Sequence, residues 1–424
     1  MSVARGEASV ADVVLLRLPQ IITNSVTATT WPAVTNWRSD EYLMRKLPTL
    51  NEPRIADEDE SCDAESYFAP DPSGDMVTEM ESNSLFEPEA PPMYFARWMG
   101  FQELAPLRAD ASPQQPLLIE EKVDGVYSSG ARAEKSDDVV ERRYFRLGTN
   151  GSASSLHHDE YHNLFAQIRG EKDWWLLPPT SWRHAKGFPK GHERARQSPR
   201  RPIFEWSSDD MAAAGAIQTK TVPGDLLYIP PYWLHQTRTT LGVSVAVNVW
   251  SPSREAQHAS KALALVAGLH KMLLEGSKES GLCVAARTVH AVALSLAKEE
   301  EVDAIELLAS VHAAQHGPHL RPARRGRKAS SSTQAAAAKP DAACGGPCER
   351  QSDAEAAEAD KLAAAFSALP AGVSTLTLAD LVTELAEQVA TAVSPVWPGD
   401  KGRARAARCL LLQLQPALGN ETAI

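Results

Sequence analysis

LHHDEYHNLFAQIRGEKDWWLLPP, residues 156–179, places three histidines and a carboxylate just ahead of an apolar run that reads as two strands around a tight turn in IRGEK. Side chains along a strand alternate between faces, so His157 and Asp159 share one side while His158 takes the other. The stretch therefore sets two metal-ligating side chains side by side in what reads as a β-rich chain.

A His-x-Asp pair on one strand supplies two members of the facial triad associated with non-heme Fe(II) oxygenases, and a distant histidine must complete it. TVPGDLLYIPPYWLHQTRTTLGVSVAVNVW, residues 221–250, offers that histidine. PGD reads as a turn, LLYIP as a buried strand, and His235 opens the next strand, which continues into the alternating SVAVNVW. A sheet rolled into a barrel brings His235 against His157 and Asp159 and leaves further metal positions open. Open positions point to catalysis, because a purely structural site is closed. Taken alone His-x-Asp is a weak signal, and a lone histidine in an apolar strand is more often a hydrogen-bonded core residue.

The rest of the chain bounds the answer. At 424 residues it exceeds the size at which one core usually stops growing, and 43% hydrophobic residues supply ample core material. The 43 basic and 54 acidic residues give a net charge of -11, which argues against a dedicated nucleic-acid binder. Five scattered cysteines (Cys62, Cys283, Cys344, Cys348 and Cys409) fit a reduced compartment better than a disulfide framework, and no second ligand pair accompanies Cys344 and Cys348. The first residues, MSVARGEASVADVVLLRLP, make a poor signal peptide. No stretch approaches a membrane span, so the expectation is a protein of the cytoplasm or nucleus with no membrane partner.

Composition divides the chain. Short β-branched or aromatic runs up to residue 250 hold nine of the ten tryptophans and suggest many short strands, with an acidic, turn-rich insertion at 56–91 expected to be irregular. After Trp250 the period becomes helical: SPSREAQHASKALALVAGLHKMLLEG opens with Ser251–Pro252 suited to N-cap and N1, and aligns Leu263, Val266, Leu269 and Leu273. The expected division is a catalytic domain at 1–255, a helical region at 256–317, a low-complexity, disordered linker at 318–372 and a helical segment at 373–424. Thr377 and Asp380 resemble a capping box there.

Several ordered motifs together carry a family likeness. HHDEYHNLFAQIRGEKDWWLLPP, PGDLLYIPPYWLHQ, SVAVNVW and the upstream TWPAVTNWRSDEYL at 30–43 resemble the JmjC-type, cupin-like 2-oxoglutarate- and Fe(II)-dependent oxygenases, most closely the hypoxia-inducible factor asparaginyl hydroxylase group. The likeness covers roughly residues 17–250, interrupted by the acidic insertion. It implies a mainly β fold, a double-stranded β-helix (jelly-roll) barrel, followed by a C-terminal α-helical region.

The same likeness implies roles residue by residue. His157, Asp159 and His235 match the iron ligands. Lys172 matches the lysine holding the distal carboxylate of the cosubstrate 2-oxoglutarate, although a lysine after a turn is ordinarily solvated. Ser154 stands where a hydroxyl assists that carboxylate, Tyr94 where a tyrosine does. Asn163 and Asn248 match asparagines lining the cosubstrate pocket. His158 and His162 receive no role, and Trp174, Trp175 and Trp233 read as barrel core. The implied reaction uses Fe(II), 2-oxoglutarate and O2 to hydroxylate a protein side chain. Lysyl demethylation and RNA hydroxylation stay open as alternatives, as does an inactive cupin-like scaffold. The basic segment RHAKGFPKGHERARQSPRR at 183–201 reads equally well as a solvated loop or an attractor of acidic protein or RNA. RRGRK at 324–328 has the composition of a nuclear address. Related hydroxylases dimerise through C-terminal helices, so a homodimer is an expectation, with packing of the helices on their own barrel as the rival.

Overall fold

The computed structural model describes nearly all of residues 3–51, 92–111, 143–185 and 196–265, the short pieces 54–55 and 79–81, the single residues 86, 117, 119 and 187, and positions within 285–296 and 353–381. The chain divides into two compact units, Met1–Ala185 with Arg196–Gln257, and Lys186–Ala195 with His258–Ile424.

The first unit is built on a ten-stranded sheet. Its strands are β1 (Ala4–Gly6), β2 (Gln20–Ile22), β4 (Arg54–Ile55), β6 (Met93–Trp98), β7 (Arg143–Gly148), β8 (His157–His158), β9 (His162–Leu177), β10 (Ile217–Thr221), β11 (Leu226–Ile229) and β12 (Leu234–Ser251). The order is β1-β2-β11-β9-β12-β7-β6-β4, with β10 added on β9 and β8 on β12. Two further strands, β3 (Thr49–Asn51) and β5 (Glu79–Glu81), form a separate ribbon. Glu79–Glu81 thus gives the acidic insertion one regular element; most of 56–91 lies outside the described residues.

The opening stretch is not a hairpin. β9 is one 16-residue strand that pairs antiparallel with the 18-residue β12 along its length, with register shifts between Thr239 and Ala246. Gly170 has a φ of 67° where the expected turn lies, and a Cβ there would collide with the Val243 carbonyl. It makes a bulge that bends the pair, and only glycine fits both demands. On one side of the bulge β9 also pairs β11, on the other β10, so the long strands carry the sheet around a corner. The unit is thus mainly β, as expected.

Alternation separates two faces. Phe145, Leu147, Leu164, Ala166, Ile168, Val245, Val247 and Val249 pack outward against Trp31, Trp37 and Leu43, which flank or belong to the helices Ala33–Asn36 and Asp40–Lys46. Trp37 meets Phe145 edge-on at 5.4 Å. The alternate residues, Tyr144, Arg146, Asn163, Phe165, Ala246, Asn248 and Trp250, face the other way, into the roll of the sheet. There Phe165, Trp174, Leu176, Leu227, Ile229 and Trp233 fill one end as a buried cluster, matching the expectation that the tryptophans are core.

Three local expectations change. The helix Arg254–Ala264 is capped by Ser253, whose hydroxyl accepts from Ala256 N at 3.1 Å, whereas Ser251 ends β12 and accepts from Ile119 N. A capping oxygen stands two or three residues before the amide it caps; with the helix starting at Arg254 that position falls to Ser253, and Ser251 is still the last residue of β12. In the second unit the helix Asp353–Ser367 lies within the span read as an irregular linker. Its sequence DAEAAEADKLAAAFS consists largely of strong helix formers, and Leu362 and Phe366 are buried. Thr377 is no N-cap: it sits among helical residues and its hydroxyl donates to the Val373 carbonyl one turn back. All five cysteines, RRGRK and most of the basic segment lie outside the described residues. Among the described residues no helix is long and apolar enough to cross a membrane.

Candidate metal centre

His157 and His235 are register partners in the β8–β12 ladder, which brings two residues far apart in sequence to adjacent positions. Their rings lie 4.3 Å apart between centroids. Asp159 follows β8, and its carbonyl accepts from Tyr232 N at 2.7 Å, so the PPYW turn ahead of His235 is tied to the loop after His157. Tyr232 adopts a φ of 63°, strained for an aromatic residue and retained where this link fixes the turn.

One ligand atom from each of His157, Asp159 and His235 falls within 4.8 Å of the others, the only such group of His, Cys, Asp and Glu among the described residues. Asp159 Oδ2 lies 3.7 Å from His235 Nε2, beyond hydrogen-bond reach, and is buried without a hydrogen-bond partner. A buried carboxylate oxygen in that state is costly unless a cation meets it. The Nδ1 of His157 bonds to the Ser155 carbonyl at 2.8 Å and that of His235 to the Trp233 carbonyl at 3.0 Å. A carbonyl accepts only N–H, so these bonds place the proton on Nδ1 and leave the Nε2 lone pair for a metal. Burial, then the nearby His157, pushes the His235 imidazole down to about 4, with Asp159 offsetting part of the effect. It is neutral near pH 7, as metal ligation requires. Donors of two imidazoles and one carboxylate fit a divalent transition metal such as Fe(II).

A second feature lies along the same face. Lys172 is 1% exposed, and its amine donates to Thr239 Oγ1 at 3.0 Å and faces the Tyr94 ring at 5.4 Å. Burial, then the charge of Arg146, lowers it to about 7. Ser152 Oγ donates to Thr239 Oγ1 at 3.1 Å. Beside them Gly148 leaves room: a Cβ there would stand 2.6 Å from Ser152 Oγ, 2.9 Å from Thr239 Oγ1 and 3.4 Å from Lys172 Nζ. Two hydroxyls and an ammonium around a space kept open by glycine form a cradle for a carboxylate.

Tyr94 stands at this cradle and Asn163 and Asn248 bond to each other at 3.3 Å on the same face, so the structure gathers them with Lys172. Ser154 is placed differently from the expectation. Its hydroxyl accepts from Thr237 N at 2.9 Å, one rung nearer His235, and the hydroxyls at Lys172 are those of Thr239 and Ser152. The reason is register: Ala153 bridges Arg238, so Ser152 faces Thr239 and Ser154 faces Thr237. Sequence reading missed Ser152, Thr239 and Gly148. A signal existed for Thr239, which follows His235 and Thr237 at the two-residue period of one strand face. His158 turns away into the interior, stacked on Tyr232 at 5.7 Å, and its imidazole is held well below the usual range by burial and then by Arg196. His162 is fully buried against the Tyr228 hydroxyl.

The chain is 26% identical over 263 residues to lysine-specific demethylase JMJ30 of Arabidopsis thaliana, covering 60% of this chain and 54% of that protein. It is 36% identical over 98 residues to tRNA wybutosine-synthesizing protein 4 of Neurospora crassa, covering 22% of this chain and 8% of that protein. Lysine-specific demethylase JMJ32 of Arabidopsis thaliana is 27% identical over 136 residues, 24% of this chain and 39% of that protein. The chain thus spans little more than half of JMJ30 and less of the other two. The family profile described as a cupin-like domain matches residues 7–255, more than half of the chain and the whole of the site just described, so the chain belongs to the cupin-like domain family.

Proposed function

We propose that this chain is a 2-oxoglutarate- and Fe(II)-dependent dioxygenase that hydroxylates a protein side chain. The observation that carries the reading is the pairing, on one face of one rolled sheet, of the His157, Asp159 and His235 cluster with the buried Lys172 cradle. A metal cupin without a keto-acid cosubstrate has no use for a lysine buried at such cost. Fe(II) with 2-oxoglutarate and O2 supplies oxidative decarboxylation to succinate and carbon dioxide together with insertion of oxygen into a C–H bond.

The chain's own residues would do the rest. His157, Asp159 and His235 hold the ion on one side and leave its other positions to ligands. Lys172, Thr239 and Ser152 take the distal carboxylate of the cosubstrate, and Tyr94 walls it. The apolar cluster around Phe165 and Trp174 excludes water from that end.

A protein substrate is favoured by the net charge of -11, which opposes polyanions, and by JMJ30, whose name records action on lysine and which matches over the longest of these spans. The likeness of the site motifs to the asparaginyl hydroxylase group makes hydroxylation the first outcome to seek. Demethylation is the same oxygen insertion on an N-methyl group, and RNA modification is the outcome that the wybutosine-synthesizing relatives raise. The proposed organisation keeps catalysis within residues 1–255, with the later helices available for dimerisation.

The test is succinate formation from 2-oxoglutarate by Fe(II)-loaded protein, followed by mass spectrometry of proteins and RNA captured by an inactive variant. An added oxygen on protein supports the proposal, whereas a lost methyl group or a modified nucleoside selects an alternative. Decarboxylation by an Asp159→Ala variant at the parent's rate refutes the site.

A further inference from the structure

The run that carries Asp159 is also gripped on its other edge, by the end of the basic segment. His157 pairs His235 on β12 and bridges Gln197 on the opposite side. Ser198 N donates to the Leu156 carbonyl at 2.7 Å and His158 N to the Arg196 carbonyl at 3.3 Å. Residues 196–198 therefore flank β8 as a further strand would. From there Arg196 Nη2 lies 2.7 Å from Glu160 Oε2 in a mostly buried ion pair. Glu160 directly follows Asp159.

Backbone strain marks the same place. Among the described residues four other than glycine have a positive φ, and two of them hold this run. Tyr232, at 63°, donates its amide to the Asp159 carbonyl, and Arg196, at 68°, accepts from the His158 amide. Such conformations persist only where the surroundings over-determine them, and they gather at working sites. Ser253 Oγ adds a tie to the Glu160 carbonyl at 2.6 Å.

Two adjacent carboxylates so close to two imidazoles pose a problem of choice, because a divalent ion attracts both. A guanidinium compensates a carboxylate's charge and fixes its direction. Glu160 is the acid so engaged, whereas Asp159 keeps a buried oxygen that has no hydrogen-bond partner and lies 3.7 Å from His235 Nε2. The ion pair thus turns one acid toward the basic segment and leaves the other to the histidines.

Resting on the metal centre assigned above, we propose that Arg196 is a positioning residue for that centre, acting through Glu160. It holds the 158–160 backbone in the geometry that presents Asp159, and it withdraws Glu160 from competition for the ion. One arginine of the basic segment therefore serves inside the fold and is not available to attract an acidic partner.

The test is Mn(II) binding to full-length protein, read by paramagnetic resonance, beside urea unfolding of the metal-free protein. Arg196→Met and Glu160→Gln are each expected to weaken Mn(II) by about 10-fold, the lower end of the range for losing a partner that orients a metal ligand. Charge alone predicts opposite signs, since removing a cation strengthens cation binding and removing an anion weakens it, so a loss in both variants is specific to positioning. The double variant should bind no more weakly than either single one, because both changes break the same pair. Arg196→Lys, which keeps the charge, should recover most of the affinity, and with Glu160→Gln it decides the matter if Arg196→Met does not fold.

A pair that serves stability alone lowers the urea midpoint and leaves Mn(II) affinity at the parent's value; that result overturns the proposal. So does a loss in Glu160→Gln without one in the Arg196 variants, which makes Glu160 itself a ligand, or an additive loss in the double variant. If the parent binds no Mn(II), or Asp159→Asn binds it as the parent does, the metal centre itself falls.

Discussion

Lys172→Met separates stability from function at one residue. The wild-type amine is fully buried, with its folded value lowered from 10.5 to about 7, chiefly by desolvation. In the unfolded chain it keeps its proton up to its ordinary value. Between the two values the unfolded chain therefore binds more protons, so parent stability rises with pH through that window and the penalty is greatest at and below neutral pH. The full shift is worth about 5 kcal/mol, of which about 2.5 kcal/mol is recovered between pH 7 and pH 9. Methionine keeps an unbranched stem of similar reach, removes the charge and gives up one hydrogen bond of about 1 kcal/mol.

The variant is thus expected to be more stable than the parent by roughly 3 kcal/mol at pH 7, a gap that narrows to about 1 kcal/mol at pH 9. Urea unfolding of metal-free protein, followed by tryptophan fluorescence, measures the gap, since nine of the ten tryptophans fall in residues 1–250. In the same variant 2-oxoglutarate binding should weaken by about 100-fold, as when one partner of a buried charge pair is removed. A gap that does not change with pH, or a parent more stable at pH 7, refutes the assignment of a buried, destabilising amine.

Other perturbations probe neighbouring parts of the structure. Gly148→Ala pushes a methyl group against Ser152 and Thr239, and should cost about 1–3 kcal/mol of stability by overpacking and weaken 2-oxoglutarate in a calorimeter; unaltered binding would show that the cradle is not the carboxylate site. Asp159→Asn should abolish Mn(II) binding measured by paramagnetic resonance while the fold persists, because it removes the one charged donor of the cluster; retained tight binding means the ion sits elsewhere. Asp110→Ala strips a buried carboxylate that accepts from Asn36 Nδ2, Trp37 Nε1 and the Tyr42 hydroxyl. It should cost about 2–5 kcal/mol in urea titrations and leave the Mn(II) and 2-oxoglutarate affinities of the folded protein intact. Gly170→Ala should lower stability by at least about 1 kcal/mol, since φ at that bulge is positive and the Val243 carbonyl blocks a Cβ; a neutral effect would argue against the bend.

The sequence by itself determined the features that depend on neighbours along the chain. The two-residue period placed His157 and Asp159 together, marked LLYIP as a buried strand and set His235 at the head of the next one, and these three residues do converge. The same period contains Thr239, four residues beyond His235 on one strand face. Only the tertiary structure decided what depends on pairings made across many residues. Whether Ser152 or Ser154 faces Lys172 follows from the Ala153–Arg238 bridge, and a shift of one rung exchanges them. IRGEK looks like a turn locally, yet both halves of β9 find partners on β12, so Gly170 bends a strand instead of reversing it. Lys172 carries the local signature of a solvated side chain, yet strands β6, β7 and β12 bury it, and the proposed anchoring role rests on that burial. Side-chain alternation is a property of a few consecutive bonds, whereas register, burial and electrostatic coupling exist only once distant strands have met.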